Sequence, residues 1–455
     1  MSALAAEFEG LELGDVRLNR RARKVLARLG DKPTASIPAA CGGWDETRAA
    51  YRLFDHDNVT AQQVLEPHYQ ASQTRMAAYR QVLCIQDTTE LDYTGKSDIE
   101  GLGPLNYENR HGLYLHPTIA VTPERLCLGV IDTWSWVREP GSLGKEKGKR
   151  LIEEKESLRW LEGYRRVCDR QADLPDTQCI YVGDREADIY EIFAEHAKQA
   201  SAADYLIRGQ HDRKLANGKL LRQVLDDAPV LEHIEFDIPK TENRKAQRIA
   251  QSLRAVRVTL KAPSRPGIKL ADTEVTALLA TETNPPAGAE PIEWLLLTNL
   301  PIDTAEQAAE KLAWYLCRWQ IEIFFRILKS GCKVEEMQLE KLERLEPALA
   351  FYMIIAWRVL YLTMLGRECP ELPCNLVFAD EEWQAIYLVA KRRPPPDVPP
   401  SLDTMVRMVA GFGGFLNRKG DGFPGPQTIW IGLQRGRDFA QGIAVARATE
   451  ASSCG

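Results

Sequence analysis

Basic and apolar residues recur at helical spacing near the start of the chain. In the segment VRLNRRARKVLARLGDKP, basic residues fall on one side and apolar residues on the other, which predicts an amphipathic helix with a basic face. The basic residues are Arg17, Arg20, Arg21, Lys24 and Arg28. A second helix is predicted to begin after Thr60, which can form a capping box with Gln63. Two or three short helices in this region indicate a small DNA-binding domain, although a solvated surface helix would show the same pattern.

The next stretch of the chain combines apolar strands with a helix. The segment VLCIQDTT predicts a strand that ends at Asp87, and CIYVGDRE predicts another that ends at Asp184. Segments 113–123 and 125–139 are predicted to form an antiparallel strand pair, which is followed by a helix over 153–169. The order of strand, two antiparallel strands, helix, strand and helix is expected of an RNase H-like α/β core. In such a core, the acids at the ends of the first and fourth strands meet on adjacent strands.

A β-rich stretch and a long helix follow. The stretch over about 205–303 is too long for a loop and predicts an inserted sheet. Helical periodicity resumes near Thr304, and within this helix four polar residues fall three, four and seven positions apart, so one face presents them all. They are Tyr315, Arg318, Glu322 and Lys329. The other faces are apolar, so the charges need partners, and an ion-pair ladder between Arg318 and Glu322 is the purely structural interpretation.

Composition limits the possible classes of protein. A chain of 455 residues suggests about three domains, and its net charge of −6 means that any DNA binding depends on the local distribution of basic residues. No apolar run approaches the roughly 20 residues of a membrane span, so we expect a cytoplasmic protein. The ten cysteines form no C-x2-C pair, and GFGGFLNRKGDG lacks the spacing of a phosphate-binding loop. Neither a zinc site nor a nucleotide cofactor is therefore expected.

The three strand-end and helix acids occur in recognisable motifs. Asp87 in QDTT, Asp184 in GDREAD and Glu322 in Y-x2-R-x3-E-x6-K resemble the pattern of the DDE transposases of bacterial insertion sequences, within the IS4-like group that carries the YREK signature and most closely its Tn5 type. Five further stretches agree in order, and the resemblance covers nearly the whole chain. They are LGDVRLNRRARKV, EKESLRWL, DREADI, WLLLTN and GGFLNRKGDGFPGPQTIWIGLQR.

The resemblance implies a fold class and a domain organisation. It implies an α/β protein with an RNase H-like catalytic core, interrupted by an inserted β-sheet subdomain, and with helical N-terminal and C-terminal domains. The expected domains are a DNA-end-binding domain over 1–75, a catalytic domain over 76–370 with the β insertion at about 205–303, and a C-terminal domain over 371–455. The last of these would serve dimerisation and DNA contacts.

The resemblance also implies which residues act. Asp87, Asp184 and Glu322 would be the catalytic metal ligands, and the chemistry agrees, because neighbouring carboxylates need cations and an oxygen-only set favours two Mg²⁺ ions, with Mn²⁺ as a substitute. Asp184 as a simple helix cap is the alternative. The residues expected to contact DNA are Tyr315, Arg318, Lys329, Arg326, Arg208, Trp294, Arg20, Arg21 and Lys24. Trp294 could instead be a core tryptophan, and His116 is expected to be a packed residue without a catalytic role.

The implied activity is cut-and-paste transposition. A homodimer in a synaptic complex would bind double-stranded DNA at the terminal repeats of its own element. It would excise the element by metal-dependent phosphodiester hydrolysis and transesterification, through a hairpin intermediate, and join the 3′ ends to target DNA. A non-catalytic DNA-binding protein and a different RNase H-like nuclease are the two alternatives. The intact acids argue against the first, and the β block and the Y-R-E-K face argue against the second.

Overall fold

The structure is a computed structural model. It describes residues 4–96, 99–141, 155–199, 202–238, 247–265, 267–286 and 288–453. Residues 153 and 154 of the predicted helix, and residues 239–246, 266 and 287 of the predicted β block, lie outside the described residues.

Helices form the two ends of the chain, and strands dominate its middle. The helices are α1 (Val16–Asp31), α2 (Ile37–Cys41), α3 (Trp44–Phe54), α4 (Ala61–Met76), α5 (Leu158–Asp173), α6 (Tyr190–His196), α7 (Leu221–Asp227), α8 (Ala305–Leu316), α9 (Trp319–Arg326), α10 (Leu342–Glu368), α11 (Asp380–Lys391), α12 (Leu402–Phe412) and α13 (Pro426–Ser453). The strands are β1 (Gln81–Gln86), β2 (Thr89–Asp92), β3 (Gly103–Pro104), β4 (His111–Val121), β5 (Cys127–Trp136), β6 (Gln178–Gly183), β7 (Asp204–Arg208), β8 (Glu232–Ile238), β9 (Gln247–Leu260), β10 (Thr273–Glu282) and β11 (Glu293–Thr298).

The centre of the fold is a mixed sheet of 11 strands. Within it, β5, β4, β1, β6 and β7 lie in that order, with β4 antiparallel to β5 and β1, and with β1, β6 and β7 mutually parallel. Strands β1 and β6 are buried along nearly their whole length. Their continuous apolar sequences suit parallel strands that are covered on both faces. Strands β1 and β6, the predicted first and fourth strands, are adjacent, as the sequence pattern predicts for an RNase H-like core.

The β block predicted at about 205–303 continues the central sheet. The strand order runs on from β7 through β11, β10 and β9 to β8, and each of these neighbours is antiparallel to the next. Strand β7 would otherwise leave a row of unpaired backbone groups at the edge of the core, and β11 pairs with them. The block is thus joined to the rest of the sheet by backbone hydrogen bonds.

The helix predicted to run on from Thr304 is interrupted in the structure. Helix α8 ends at Leu316, and the next two residues make tighter i→i−3 hydrogen bonds, from Cys317 N to Trp314 O and from Arg318 N to Tyr315 O. Beyond α9, residues Ile327–Gly331 form a π-helical segment. The prediction of one continuous helix is therefore wrong, because spacing alone does not show where tight and wide turns change the face that a helix presents.

Helix α10 packs among helices from both ends of the chain. By length and composition it could cross a membrane, with a mean hydropathy of 1.8 over its apolar window, but 94% of that window is buried inside the protein. The expectation that no apolar run approaches the length of a membrane span is therefore wrong. The helix is apolar on all sides because α1, α3, α4, β5, α12 and α13 pack around it.

The N-terminal helices form as the sequence predicts. Asp15 caps α1, and the capping box of Thr60 and Gln63 begins α4. The two ends of the chain meet, since Arg437 on α13 lies 3.4 Å from the carboxylate of Asp31 at the end of α1. The helical modules at both ends are consequently tied to each other as well as to α10.

Candidate active site

Asp87 and Asp184 directly follow two neighbouring parallel strands. In the pairing of β1 with β6, Leu83 lies opposite Ile180 and Ile85 lies opposite Val182. Asp87 and Asp184 are each two residues beyond the last of these pairs, and the charge of Asp184 acts on the Asp87 carboxyl, as expected if this register continues. Neighbouring strands are about 4.8 Å apart, so the two carboxylates emerge side by side at the same edge of the sheet.

Arg318 connects the first of these acids to Glu322. Its Nη1 lies 2.8 Å from Oδ2 of Asp87, and its Nη2 lies 2.5 Å from Oε1 of Glu322. The predicted ion pair of Arg318 and Glu322 is therefore present, and Arg318 also pairs with Asp87, the residue that follows β1. Burial acts against the charge of Arg318, whereas the neighbouring acids and Tyr315 outweigh that effect and raise its pKa. The arginine is a fixed positive charge between two of the three predicted catalytic acids.

The site has more negative charge than this arginine can compensate. Burial and the charge of Asp184 raise the pKa of Asp87 to about 7, against the opposing effect of Arg318 and of the Thr88 N–H, which donates to Oδ1 of Asp87 over 2.8 Å. Glu322 acts in the same direction as Asp184. An acid that is difficult to ionise at neutral pH indicates a site that would favour an additional cation.

Asp184 both caps a turn and retains a free oxygen. Its Oδ1 accepts a hydrogen bond of 2.8 Å from Glu186 N, which begins the 3-10 turn Arg185–Ala187. Oδ1 of Asp184 therefore caps this turn, as the alternative interpretation of Asp184 predicts. Among the described residues, no hydrogen bond reaches the other oxygen. Asp188 has a structural role, since it is buried and accepts from the backbone N–H groups of Gln210 and His211.

Arg208 and Tyr315 extend the site to the next strand. Gly183 pairs with Ile207 in β7, so Arg208 lies beside Asp184. Burial raises the pKa of Tyr315, and the charges of Arg318 and Arg208 oppose it. The Tyr315 hydroxyl is buried and close to the charge of Arg208, but among the residues described it has no hydrogen-bond partner. A buried donor without a partner indicates a position prepared for a ligand oxygen.

Trp294 lies on β11, two positions before Leu296, which pairs with Arg208. Residues two apart on a strand share a face, so the indole is on the same face as Arg208. The side chain is half-buried and packs against the core. Both interpretations of this tryptophan, as a core residue and as a stacking residue beside the site, remain consistent with its position.

The remaining predicted DNA contacts lie in two places. Lys329 Nζ lies 2.8 Å from the carbonyl oxygen of Glu90, in the strand that follows Asp87, and 3.1 Å from Oε1 of Glu335, while Arg326 is exposed. Lys329 lies in a π-helical turn, so its position on one helix face with the acids stays a prediction. The basic residues of α1 are in the N-terminal domain, where Arg20 is exposed and both Arg21 and Lys24 pair with Glu46.

The donor set suits a hard divalent cation, although the side chains do not all converge. Within the described ranges, no group of three or more His, Cys, Asp or Glu side chains is close enough to hold a metal ion together. Asp87 and Asp184 supply paired carboxylate oxygens, which Mg²⁺ and Mn²⁺ prefer. The Glu322 side chain is 39% exposed and is held by Arg318, so it must leave this arginine to join the other two.

Sequence reasoning missed two residues beside the acids. Trp319 is 53% exposed and directly follows Arg318. Arg159 on α5 is buried and contacts both acid-bearing loops, and its position within the EKESLRWL motif was the available signal. His116 is buried, with Nδ1 2.8 Å from Thr88 Oγ1, so it is packed and hydrogen-bonded as expected, and burial lowers its pKa well below the usual value.

Comparisons with known families agree with this geometry. Family models match a transposase DNA-binding domain over residues 1–59, a transposase DDE domain over 158–358 and a Tn5 transposase dimerisation domain over 354–453. The chain therefore belongs to the DDE transposases and is related to the Tn5 transposase. The DDE match includes Asp184 and Glu322 and begins after Asp87.

A solved structure similar to this chain is the piggyBac transposase synaptic complex with hairpin DNA. The sequence identity is 10% and the TM-score is 0.33, over 64% of this chain and 48% of that chain. The match thus spans about half the length of the piggyBac chain.

Proposed function

We propose that this DDE transposase belongs to the IS4-like group with the YREK signature and moves its own element by a cut-and-paste route. It would bind the terminal repeats, excise the element through a hairpin intermediate and join the 3′ ends to target DNA. The observation that carries the proposal is the position of Asp87 and Asp184 after adjacent parallel strands, with Arg318 linking Asp87 to Glu322. Acids from three distant parts of the chain are thereby brought to one region, where Asp87 and Asp184 lie side by side and Arg318 holds Glu322 nearby.

Asp87, Asp184 and Glu322 would hold two Mg²⁺ ions, with Mn²⁺ able to substitute. When bound, such ions activate a water molecule or a 3′-hydroxyl and stabilise the leaving oxygen of a phosphodiester. The free oxygen of Asp184 and the high pKa of Asp87 support this assignment, since both carboxylates gain from a cation. Once Asp87 and Glu322 are neutralised by cations, the Arg318 guanidinium is available for a bidentate hydrogen-bonded contact with a DNA phosphate.

The neighbouring residues would position the DNA strand. Arg208 and the unpartnered hydroxyl of Tyr315 lie beside Asp184 and can bind the phosphate next to the one that reacts. Trp294, on the same face, would stack on a flipped-out base. Lys329 would contact a DNA phosphate as a point charge, and Arg326 would contact a phosphate through its planar guanidinium.

Two protomers would act together on paired DNA ends. The N-terminal domain, proposed as residues 1–75, would bind one terminal repeat through Arg20, Arg21 and Lys24, while the catalytic domain over 76–370 acts on the other end. The β block at about 205–303 would be an insertion in that domain, and residues 371–455 would form the dimer on DNA. Such an arrangement prevents cutting at an unpaired end. We place the reaction in the cytoplasm.

Cleavage of a duplex that carries the terminal repeat of this element tests the proposal. The native protein and an Asp176→Ala control, which lacks an exposed acid just before β6, should cut at the repeat boundary when Mg²⁺ is added. Asp184→Ala should bind the same duplex without cutting. Binding without cutting by all three proteins would instead indicate a DNA-binding protein that has lost catalysis. Cutting at sites unrelated to the repeat would indicate another RNase H-like nuclease.

A further inference from the structure

Arg159 is a buried charge beside the two loops that carry the proposed catalytic acids Asp87 and Asp184. It lies in the first turn of α5, and its guanidinium covers the ring of Trp136 at 4.7 Å from the centroid. Burial lowers the pKa of Arg159, and the nearby acids Glu186, Glu156 and Asp184 oppose this effect. A charged side chain is rarely buried in this way unless several partners hold it.

Arg159 donates to the carbonyl oxygen of Glu156 over 2.7 Å, and its two other hydrogen-bond partners belong to the loops that carry Asp87 and Asp184. On one side, Nε lies 3.3 Å from the hydroxyl of Thr88, the residue after Asp87. On the other side, Nη2 lies 2.6 Å from Oε2 of Glu186. The backbone N–H of Glu186 is the group that donates to Asp184. One guanidinium therefore spans the gap between the two acid-bearing loops.

The hydroxyl of Thr88 is fixed from a second direction as well. Its Oγ1 lies 2.8 Å from Nδ1 of the buried His116, so both the imidazole and Arg159 determine where this residue sits. Thr88 in turn donates its backbone N–H to Asp87. The position of each strand-end acid thus depends on a residue that Arg159 contacts.

We propose that Arg159 is a positioning residue that sets the separation of Asp87 and Asp184 and thereby the affinity of the site for divalent cations. This inference rests on the proposed metal-dependent function. Outer partners of metal ligands commonly change metal affinity or activity by about 10–100-fold when they are removed. A rigid guanidinium suits the role because its planar fork fixes two contacts at once, whereas lysine offers a single point charge.

Binding of Mn²⁺ to the full-length protein on its DNA end, followed by electron paramagnetic resonance, tests the inference. Glu186→Gln weakens the same link from a side chain that is 60% exposed, so this variant is not expected to affect folding. We expect both Arg159→Lys and Glu186→Gln to weaken Mn²⁺ binding by about tenfold. Arg165→Gln on the same helix, whose partners Glu162 and Glu195 lie outside the site, should bind Mn²⁺ as the native protein does.

The outcomes separate this inference from the proposed function. If the native protein binds Mn²⁺ and Asp184→Ala does not, the metal site exists; native-like Mn²⁺ binding by both Arg159→Lys and Glu186→Gln would then overturn the role of Arg159. If the native protein and Asp184→Ala bind Mn²⁺ equally weakly, the proposed metal site itself fails, and the role of Arg159 fails with it. Unchanged affinity for the DNA end in every variant would show that the effect is confined to the metal ligands.

Discussion

Arg318 and Asp87 lie 231 residues apart in the chain, and their side chains are 2.8 Å apart in the fold. Because Arg318 is the charge nearest to two of the acids, we expect Arg318→Gln to lower the single-turnover cleavage rate at saturating DNA by about 100-fold or more, the usual effect of removing a charge-stabilising donor. Arg318→Lys should recover part of this loss. A rate for Arg318→Gln within about threefold of the native rate would show that the arginine only stabilises the fold.

The raised pKa of Asp87 predicts a stability that depends on pH. In the unfolded chain the pKa is about 3.9, so the folded state favours the protonated acid. The contribution of Asp87 to stability is therefore fully present below about pH 4 and is lost as the pH rises through about 7, with a total of up to about 4 kcal/mol. Asp87→Asn should remove this decline.

Urea unfolding between pH 4 and 8, with a chelator present, measures the effect. The native protein should lose more stability than Asp87→Asn over this range, and the difference should shrink when Mg²⁺ is added. Parallel pH profiles for the two proteins would contradict the raised pKa.

Gly163 on α5 packs against the residue that precedes Asp87. A Cβ at this position would overlap the side-chain amide of Gln86, which is buried and accepts a hydrogen bond of 2.7 Å from the Tyr181 hydroxyl. We expect Gly163→Ala to lower the free energy of unfolding by about 1–3 kcal/mol, as overpacking usually does, and to reduce cleavage by displacing Asp87.

Gly218→Ala is the matched control variant. A Cβ at this position would meet no neighbouring atom, but the backbone φ is positive. It should affect stability through backbone strain and leave cleavage at the DNA end unchanged. Equal losses of cleavage in both variants would show that Gln86 does not transmit the displacement to Asp87.

Glu46 limits the positive charge that the N-terminal domain can offer to DNA. Its carboxylate lies 3.0 Å from Arg21 and 2.5 Å from Lys24, whereas Arg20 is exposed. Glu46→Gln should therefore strengthen DNA binding and steepen the plot of log affinity against log salt, while Arg20→Ala should weaken binding and reduce the slope by about 1. A slope unchanged in both variants would place the DNA-binding surface elsewhere.

The sequence was sufficient to predict features that depend on residues close together in the chain. An acid at the end of each of two apolar strands identified Asp87 and Asp184, because parallel strands bring their carboxyl ends to the same edge. The break at Cys317 and the π-helical segment that holds Lys329 were not predicted, because apolar and polar spacing does not show where helical turns tighten or widen. Arg159 was missed for a different reason. Its partners Thr88 and Glu186 are 71 and 27 residues away in the sequence, and only the fold shows that they face each other.

The origin of the three acids in widely separated parts of the sequence has a consequence for protein synthesis. The match to a DNA-binding domain ends at residue 59, whereas the last acid is Glu322. At roughly 5–20 residues per second, a ribosome completes the first segment roughly 10–50 s before it adds Glu322. A chain that stops in this interval would carry the basic helix without a complete set of acids. Because α1, α3 and α4 pack against α10, which is made later still, such a fragment would also lack the core that supports the basic helix. Fragments produced by premature termination or proteolysis would therefore lose the support for DNA binding together with the last acid.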